Sequence, residues 1–330
     1  MIKELIFDDC DGFEQCHAAT LAYGNGTDII AAWFAGTSEG NKDVAIWMSV
    51  KHLGCWSAPV KIAKVNDQPH WNPVLFNPGN GSIYLYFKTG ETIPGWITWV
   101  MSSTDGGVSW SEPMELVPSD ASGGRGPVKN KPVVLANGDW LAPASVETKT
   151  EWCAFCDLSG DEGLTWFRSN LINLVGESDM GKGVIQPTIW ESERGNVHML
   201  LRSTCGKICR SDSGDGGRTW TPALPTDLPN NNSGLDLTRL SDGRLILIHN
   251  PTDDRKRRAP LSLSISEDNG LEWEKVVDVE MEPENFDGAV ENPFFKASEF
   301  SYPSIISSDF TISAVYTVHR KKIAFIQKEM

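Results

Sequence analysis

The chain is short of positive charge. Its 330 residues carry 29 Lys and Arg against 44 Asp and Glu, a formal charge of −15 at pH 7. Phosphate backbones need a basic surface, so nucleic acid is excluded as the expected partner. An acidic ligand is not excluded, because a local cationic pocket can sit on an acidic protein. Long apolar runs are missing too. No window approaches the roughly 18 consecutive apolar residues of a membrane helix, so no membrane partner is expected. The start, MIKELIFDDCDGFEQ, lacks the basic segment and apolar core of a secretory signal. That predicts a cytoplasmic protein, or a secreted one if the chain is a trimmed form.

Cysteines number only 7. Cys153 and Cys156 in WCAFC, with Cys205 and Cys209 in CGKIC, superficially offer four metal ligands. Both pairs lie in alternating strand-like runs, where i and i+3 point to opposite faces, without the turn that gathers zinc ligands. They read as reduced, mostly buried thiols. No cofactor is required by the sequence, a divalent metal is compatible with it, and nothing in it sets an oligomeric state.

What abounds is turn and packing residues: 30 Gly, 19 Pro and 13 Trp, with 40% hydrophobic and 22% charged residues. That is a folded, β-leaning composition. The stretch SSTDGGVSW (102–110) has relatives in SGDEGLTW (159–166), SGDGGRTW (213–220) and SEDNGLEW (266–273), all fitting S-x-D-x-G-x-x-W. SVKHLGCW (49–56) is a degenerate fifth copy, and the tryptophans fall at 56, 110, 166, 220 and 273. Internal repeats at such a period mean a propeller or solenoid. The units are approximately 1–56, 57–110, 111–166, 167–220, 221–273 and 274–330.

Each unit reads as four short strands bounded by Gly, Pro, Asn and Asp. Unit two shows NPVLFNP, SIYLYFK, WITWVMSS and, after the motif turn, EPMELVP. The expected fold is all-β, a single six-bladed β-propeller domain of four-stranded antiparallel blades, in which radial closure protects the sheet edges. The sixth unit has no clear fourth strand, and KELIFDD at the N-terminus is the candidate to close the ring. Asp105 then reads as a turn-former: Asx-type bonds and glycines with positive φ shape a tight turn, and four copies of a catalytic acid would serve no purpose.

Up-and-down strands place the start of strand one and the end of strand two on one face, opposite the motif turns. The strand-one starts align as His17, Asn72, Lys131, Gln186, Ser233 and Tyr302, and the strand-two ends carry Glu39, Lys88, Glu147, Arg202, His249 with Asn250, and His319 with Arg320. His70 lies beside this face as well, whereas His52 and His198 do not. Arg125 in GGRGPVKN enters unit three on the same side, and Trp71 is an aromatic that can stack on a sugar or pack inward. The run RKRR (255–258) reads as a solvated loop, with a cationic rim for an anionic ligand as the alternative.

The repeated S-x-D-x-G-x-x-W in a six-unit propeller resembles the sialidase (neuraminidase) superfamily and its Asp-box, or BNR, repeats. The resemblance covers essentially the whole chain. It implies a tyrosine nucleophile paired with a glutamate, an arginine cluster for the substrate carboxylate and an aspartate acid/base; the tyrosine departs from the usual pair of carboxylates. Tyr302 in SYPSI resembles that tyrosine. The expected glutamate is replaced by Asn232 in NNNSGLDL, the first-blade arginine by His17, and the fifth-blade arginine by His249 or Asn250, with Glu39 the nearest candidate for the acid/base.

A phenol with pKa near ~10 is a poor nucleophile without a neighbouring base. The His17 and Tyr302 pair instead suits β-elimination on a uronate. One group takes the C5 proton and the other protonates the leaving oxygen, with cations or a metal stabilising the carboxylate. The chain is also similar to the sialidase-like branch that contains rhamnosyl-glucuronate lyases. The expected activity is cleavage of a glycosidic bond at an acidic sugar, by elimination. Exo-acting hydrolysis, or glycan and protein binding without catalysis, are the alternatives. The expected partner is an acidic oligosaccharide.

Overall fold

The computed structural model describes residues 1–9, 12–120, 122–176, 181–282 and 298–330. Antiparallel strands form six sheets, and the sole helical segment among the described residues is a 3-10 turn at Ile93–Gly95. The chain is an all-β, six-bladed propeller. Blade one begins at Gln15–Tyr23, blade two at His70–Phe76, blade three at Val133–Val134, blade four at Val184–Glu193, blade five at Asp236–Arg239 and blade six at Phe300–Ser308.

Each blade is framed one strand later than the tryptophan spacing suggests. In blade one the outer strand Val60–Ala63, which pairs with Ala45–His52, follows Trp56 rather than preceding it. Blade six is completed by the N-terminal strand Ile2–Leu5, which runs antiparallel to Lys322–Glu329 with Ile2 opposite Gln327. The first strand of the chain is thus hydrogen-bonded to the last.

Apolar side chains alternate to both faces of each sheet, so every blade buries both sides against its neighbours. Six buried clusters result, one at each blade interface. Trp33 and Phe325 join blades one and six, Leu75 and Ile46 blades one and two, and Trp140 and Phe76 blades two and three. Met199 and Ala154 join blades four and three, Leu200 and Leu247 blades four and five, and Ile248 and Tyr316 blades five and six. A ring with an unbroken set of interfaces exposes no interior edge strand.

The repeated motif is a folding device in every copy. Ser103, Ser159, Ser213 and Ser266 each donate at 2.8 Å to the aspartate two residues on. Asp105 also accepts from the Val108 and Ser109 backbone N–H groups, at 3.0 and 2.9 Å. These bonds, with the Ser109 side chain first among them, hold its carboxyl down to about 2. The following tryptophans donate from Nε1 to the turn glycine carbonyls, as Trp220 does to Gly217 at 2.9 Å.

Cys153 and Cys156 are buried, and burial pushes both thiols up. Cys205 is half-buried, with its Sγ 3.7 Å from that of buried Cys209. No helix among the described residues is long and apolar enough to cross a membrane.

Candidate active site

Four inner strands open with the same irregularity. The ladder slips between His17 and Thr20, Trp71 and Val74, Ile185 and Thr188, and Ser301 and Ser304. Within the slips, Ala18, Asn72, Gln186 and Tyr302 have φ of 55°, 39°, 52° and 51°. Asn72, Gln186 and Tyr302 precede prolines, which cannot donate to a ladder and so favour a bulge. Positive φ on a residue as bulky as tyrosine is strained, and such strain concentrates at functional sites. The register also moves one assignment: Ala18, not His17, occupies the position equivalent to Tyr302, because blade one carries Ala19 where the others carry proline.

The Tyr302 hydroxyl is held from two sides. Arg202 Nη1 donates to it at 2.9 Å and Gln186 Nε2 at 3.2 Å. Arg202 Nη1 also donates to Gln186 Oε1 at 3.0 Å. Arginine has no acceptor, so the amide of Gln186 must present oxygen to Arg202 and nitrogen to Tyr302. With both phenol lone pairs engaged, the O–H is left to donate outward. Asn232 accepts from Arg202 Nε at 2.8 Å and stands behind the arginine. The side chain beside the phenol is therefore Gln186 and not Asn232, a correction the bulge explains, since it turns Gln186 and Tyr302 towards the same point.

His17 packs against Tyr302 with ring centroids 4.3 Å apart and planes inclined at 49°. It is 2% exposed; Nδ1 lies 3.1 Å from Thr317 Oγ1, and Nε2 has no hydrogen-bond partner. Burial, then the cations Arg320, Arg258, Arg202 and Lys129, hold its pKa well below the usual 6.5, so the ring is neutral. The Arg202 guanidinium lies 5.9 Å from the Tyr302 ring and 5.6 Å from that of Trp152. Glu147 is half-buried nearby, and burial pushes its carboxyl up against the pull of Arg202 and Lys182.

Two more groups complete the cationic surround, Arg258 from the run read as a solvated loop with a cationic rim as its alternative, and Lys129, which sequence reasoning passed over. Arg258, the last residue of the RKRR run, is 8% exposed and lies 5.7 Å from the Tyr302 ring, while Arg255, Lys256 and Arg257 are exposed. Glu299 bridges Arg258 at 2.9 Å and Arg320 at 3.2 Å, and Arg320 also pairs with Glu39 at the rim. The signal was positional: Arg258 ends the connection from strand two to strand three of blade five, which opens on this face. Lys129 is the omission. It is buried and donates to Asn130 Oδ1 at 2.8 Å, Leu235 O at 3.1 Å and Pro303 O, tying the Tyr302 strand to blades three and five. Burial, opposed by Asp236, lowers its ammonium to about 7.

The remaining predicted residues have their contacts elsewhere. His70 is buried between Gln68 O and Val65 N, and Trp71 donates to Gly90 O at 2.9 Å. Asn72 donates to Val128 O at 3.0 Å, and buried Lys88 donates to Thr98 Oγ1 at 2.7 Å and to Arg125 O. Arg125 is taken up by Asp157 and Asp120, and Lys131 by Asp236 at 3.0 Å. His249 is buried against Ser264, and His319 accepts from Glu299 N at 3.3 Å. His70, Trp71, Asn72, Lys88 and His319 thus satisfy backbone groups, while Arg125, Lys131 and His249 pair with other side chains. Among the described residues no group of three or more His, Cys, Asp or Glu could hold a metal ion.

A family model described as a BNR repeat-like domain matches residues 27–313. The chain belongs to that family. No curated protein matches it. Among solved structures it is similar to a protein of unknown function from Dyadobacter fermentans, at 17% identity and TM-score 0.74, covering 99% of this chain and 98% of the other. It is also similar to the NanB sialidase of Streptococcus pneumoniae, at 13% identity and TM-score 0.75, over 99% of this chain and 70% of that one. Trypanosoma rangeli sialidase in complex with sialic acid matches at 15% identity and TM-score 0.68, over 95% and 54%. The BNR chain thus spans about half the length of the trypanosomal enzyme. At these identities the likeness establishes a sialidase-like fold.

Proposed function

We propose that this BNR propeller binds an acidic sugar at the Tyr302 face and cleaves its glycosidic bond by β-elimination. One observation carries the reading: the Tyr302 hydroxyl is flanked by a guanidinium and a neutral amide, not by a carboxylate. Gln186 presents N–H to the phenol and cannot take its proton, so activating Tyr302 as a nucleophile finds no base there. Arg202 and Arg258 lie against the Tyr302 ring, with Arg320 joined to Arg258 through Glu299, and this surround suits a carboxylate and the charge that builds on it. A local cationic site also answers how a chain of net charge −15 attracts an anion.

In the elimination, the C5–H bond of a uronate breaks and its proton passes to the base. The electron pair forms the C4–C5 double bond, the C4–O bond breaks, and the leaving oxygen takes a proton. Neutral His17 is chemically able to act as the base, and the outward O–H of Tyr302 as the acid. The burial of His17 favours a second reading, carbohydrate binding without turnover, because Nε2 is shielded from solvent in this structure.

Incubation with a panel of glucuronate-containing glycans, read by ultraviolet absorbance and mass spectrometry, tests both. Elimination yields an unsaturated uronate with no gain of water. Saturated products one water heavier, from uronates or sialosides, would overturn it in favour of hydrolysis. Binding with unchanged glycan would leave the second reading.

A further inference from the structure

Blade four carries a second polar constellation at the opposite end of its strands from Arg202. Its first hairpin shifts register from Glu191 opposite Val197 to Glu193 opposite Asn196, leaving Ser192 unpaired on a bulge. A bulge re-aims the side chain it carries. Ser192 Oγ lies 2.7 Å from His198 Nε2, and His198 Nδ1 lies 2.5 Å from Asp212 Oδ1.

The surroundings fix the tautomer. Trp190 Nε1 can only donate, and it donates to Asn269 Oδ1 at 2.7 Å, so the Asn269 atom 3.1 Å from His198 Nε2 is the amide nitrogen. With Nε2 accepting, Nδ1 carries the proton and donates it to Asp212, the acceptor-only carboxylate at 2.5 Å outweighing the Arg210 N–H that faces the same nitrogen at 3.1 Å. This is the form of imidazole that can take a proton from a serine hydroxyl. Arg210 braces the set: Nε donates to Asp212 Oδ1 at 3.0 Å, Nη1 to Asn269 O at 2.9 Å, and Nη2 stands 3.1 Å from His198 Nδ1.

We propose that Ser192, His198 and Asp212 form an acyl-transfer centre, separate from the Tyr302 site, that accepts small acyl esters. The Ser192 Oγ–carbon bond forms as the hydroxyl proton passes to His198 Nε2. The ester C–O bond then breaks, and the leaving alkoxide takes that proton, giving an acyl-serine. Water adds to the acyl carbon and gives a proton to His198. That proton returns to Ser192 Oγ as the acyl bond breaks and the carboxylic acid departs. Once Nε2 is protonated, the Asn269 amide loses its acceptor beside the nucleophile and becomes free to donate to the oxyanion forming there. The Trp190 ring, buried and 5.1 Å from the imidazole, packs beside the site.

The test treats the full chain with a fluorophosphonate probe and maps the adduct by mass spectrometry, alongside hydrolysis of p-nitrophenyl acetate. The expected result is an adduct on Ser192 and a rate lowered ~10²-fold by Ser192→Ala, the usual worth of base-assisted catalysis, with an unchanged unfolding midpoint. No adduct on Ser192, or equal hydrolysis by Ser192→Ala, would overturn the proposal. Should these variants fold poorly, Ser192→Cys gives an independent measure: the new thiol should be alkylated faster than exposed Cys55, and equal or slower alkylation would refute activation by His198.

Discussion

Gln186 Nε2 donates to the Tyr302 hydroxyl at 3.2 Å while its Oε1 accepts from Arg202. A glutamate at this position keeps the acceptor for Arg202 but replaces the donor to Tyr302 with a second anionic oxygen. An acidic ligand approaching Tyr302 would then meet a like charge. Gln186→Glu should weaken binding of a uronate oligosaccharide at least tenfold, about 1.4 kcal/mol, in isothermal titration. Unchanged affinity would mean that the anionic ligand sits elsewhere.

Tyr302→Phe removes one hydroxyl and leaves the ring against His17. If the O–H protonates the leaving oxygen, formation of the unsaturated product should fall by ~10²-fold or more, with the dissociation constant changed only a few-fold. Turnover equal to that of the parent protein would remove Tyr302 from the chemistry.

The architecture was legible because it is repeated. Four copies of S-x-D-x-G-x-x-W report the same local physics, a serine and an aspartate closing a turn over a tryptophan, and errors in one unit are corrected by the others. The face was legible for the same reason, since strand order alone carries Tyr302, Arg202 and His17 to one end of the ring. Individual contacts were not. The alignment could not tell that a bulge turns Gln186 rather than Asn232 to the phenol, because that depends on a positive φ before Pro187. Nor could it separate Arg258 from Arg257, adjacent in the run, of which one is buried against Tyr302 and the other solvated. Lysines and histidines such as Lys88 and His70 looked like ligand groups by position. They instead satisfy backbone atoms, a role set by neighbours distant in sequence.

Three buried histidines make stability fall in mild acid. Burial lowers His70 and His249 to about 4, and burial with nearby cations lowers His17 well below 6.5. The unfolded chain binds these protons near its ordinary pKa of ~6.5 and the folded chain does not, so ΔG of unfolding drops as pH falls below that value. Each histidine contributes up to ~1.4 kcal/mol per pH unit between ~6.5 and its folded pKa. Urea midpoints measured from pH 7 to 5 should decline, and less steeply in His249→Gln. A flat profile over that window would contradict the burial of neutral imidazoles.

Asp105→Ala removes the acceptor for Ser103, Val108 and Ser109 in one turn. That turn lies on the face away from Tyr302. The unfolding midpoint should drop, while turnover per folded molecule stays at the parent value. Loss of activity with an unchanged midpoint would reverse the assignment of the two faces.

Arg202 is the residue on which the reading of the site depends most. Its guanidinium reaches Tyr302, Gln186 and Asn232 at once, at 2.9, 3.0 and 2.8 Å, and lies near both the Tyr302 and Trp152 rings. A lysine supplies the charge but not the planar fork, so it cannot make these bonds together. If Arg202 served only as a positive charge, Arg202→Lys would bind an acidic sugar nearly as well as the parent. Because it also fixes the amide of Gln186 and the phenol, the substitution should weaken binding and lower turnover together. The salt dependence of binding should meanwhile stay close to the parent's, since the net charge is unchanged. Arg202→Gln removes the charge as well and should flatten that salt dependence. Parent-like affinity and turnover in Arg202→Lys would show that the geometry around Tyr302 is not what recognises the ligand.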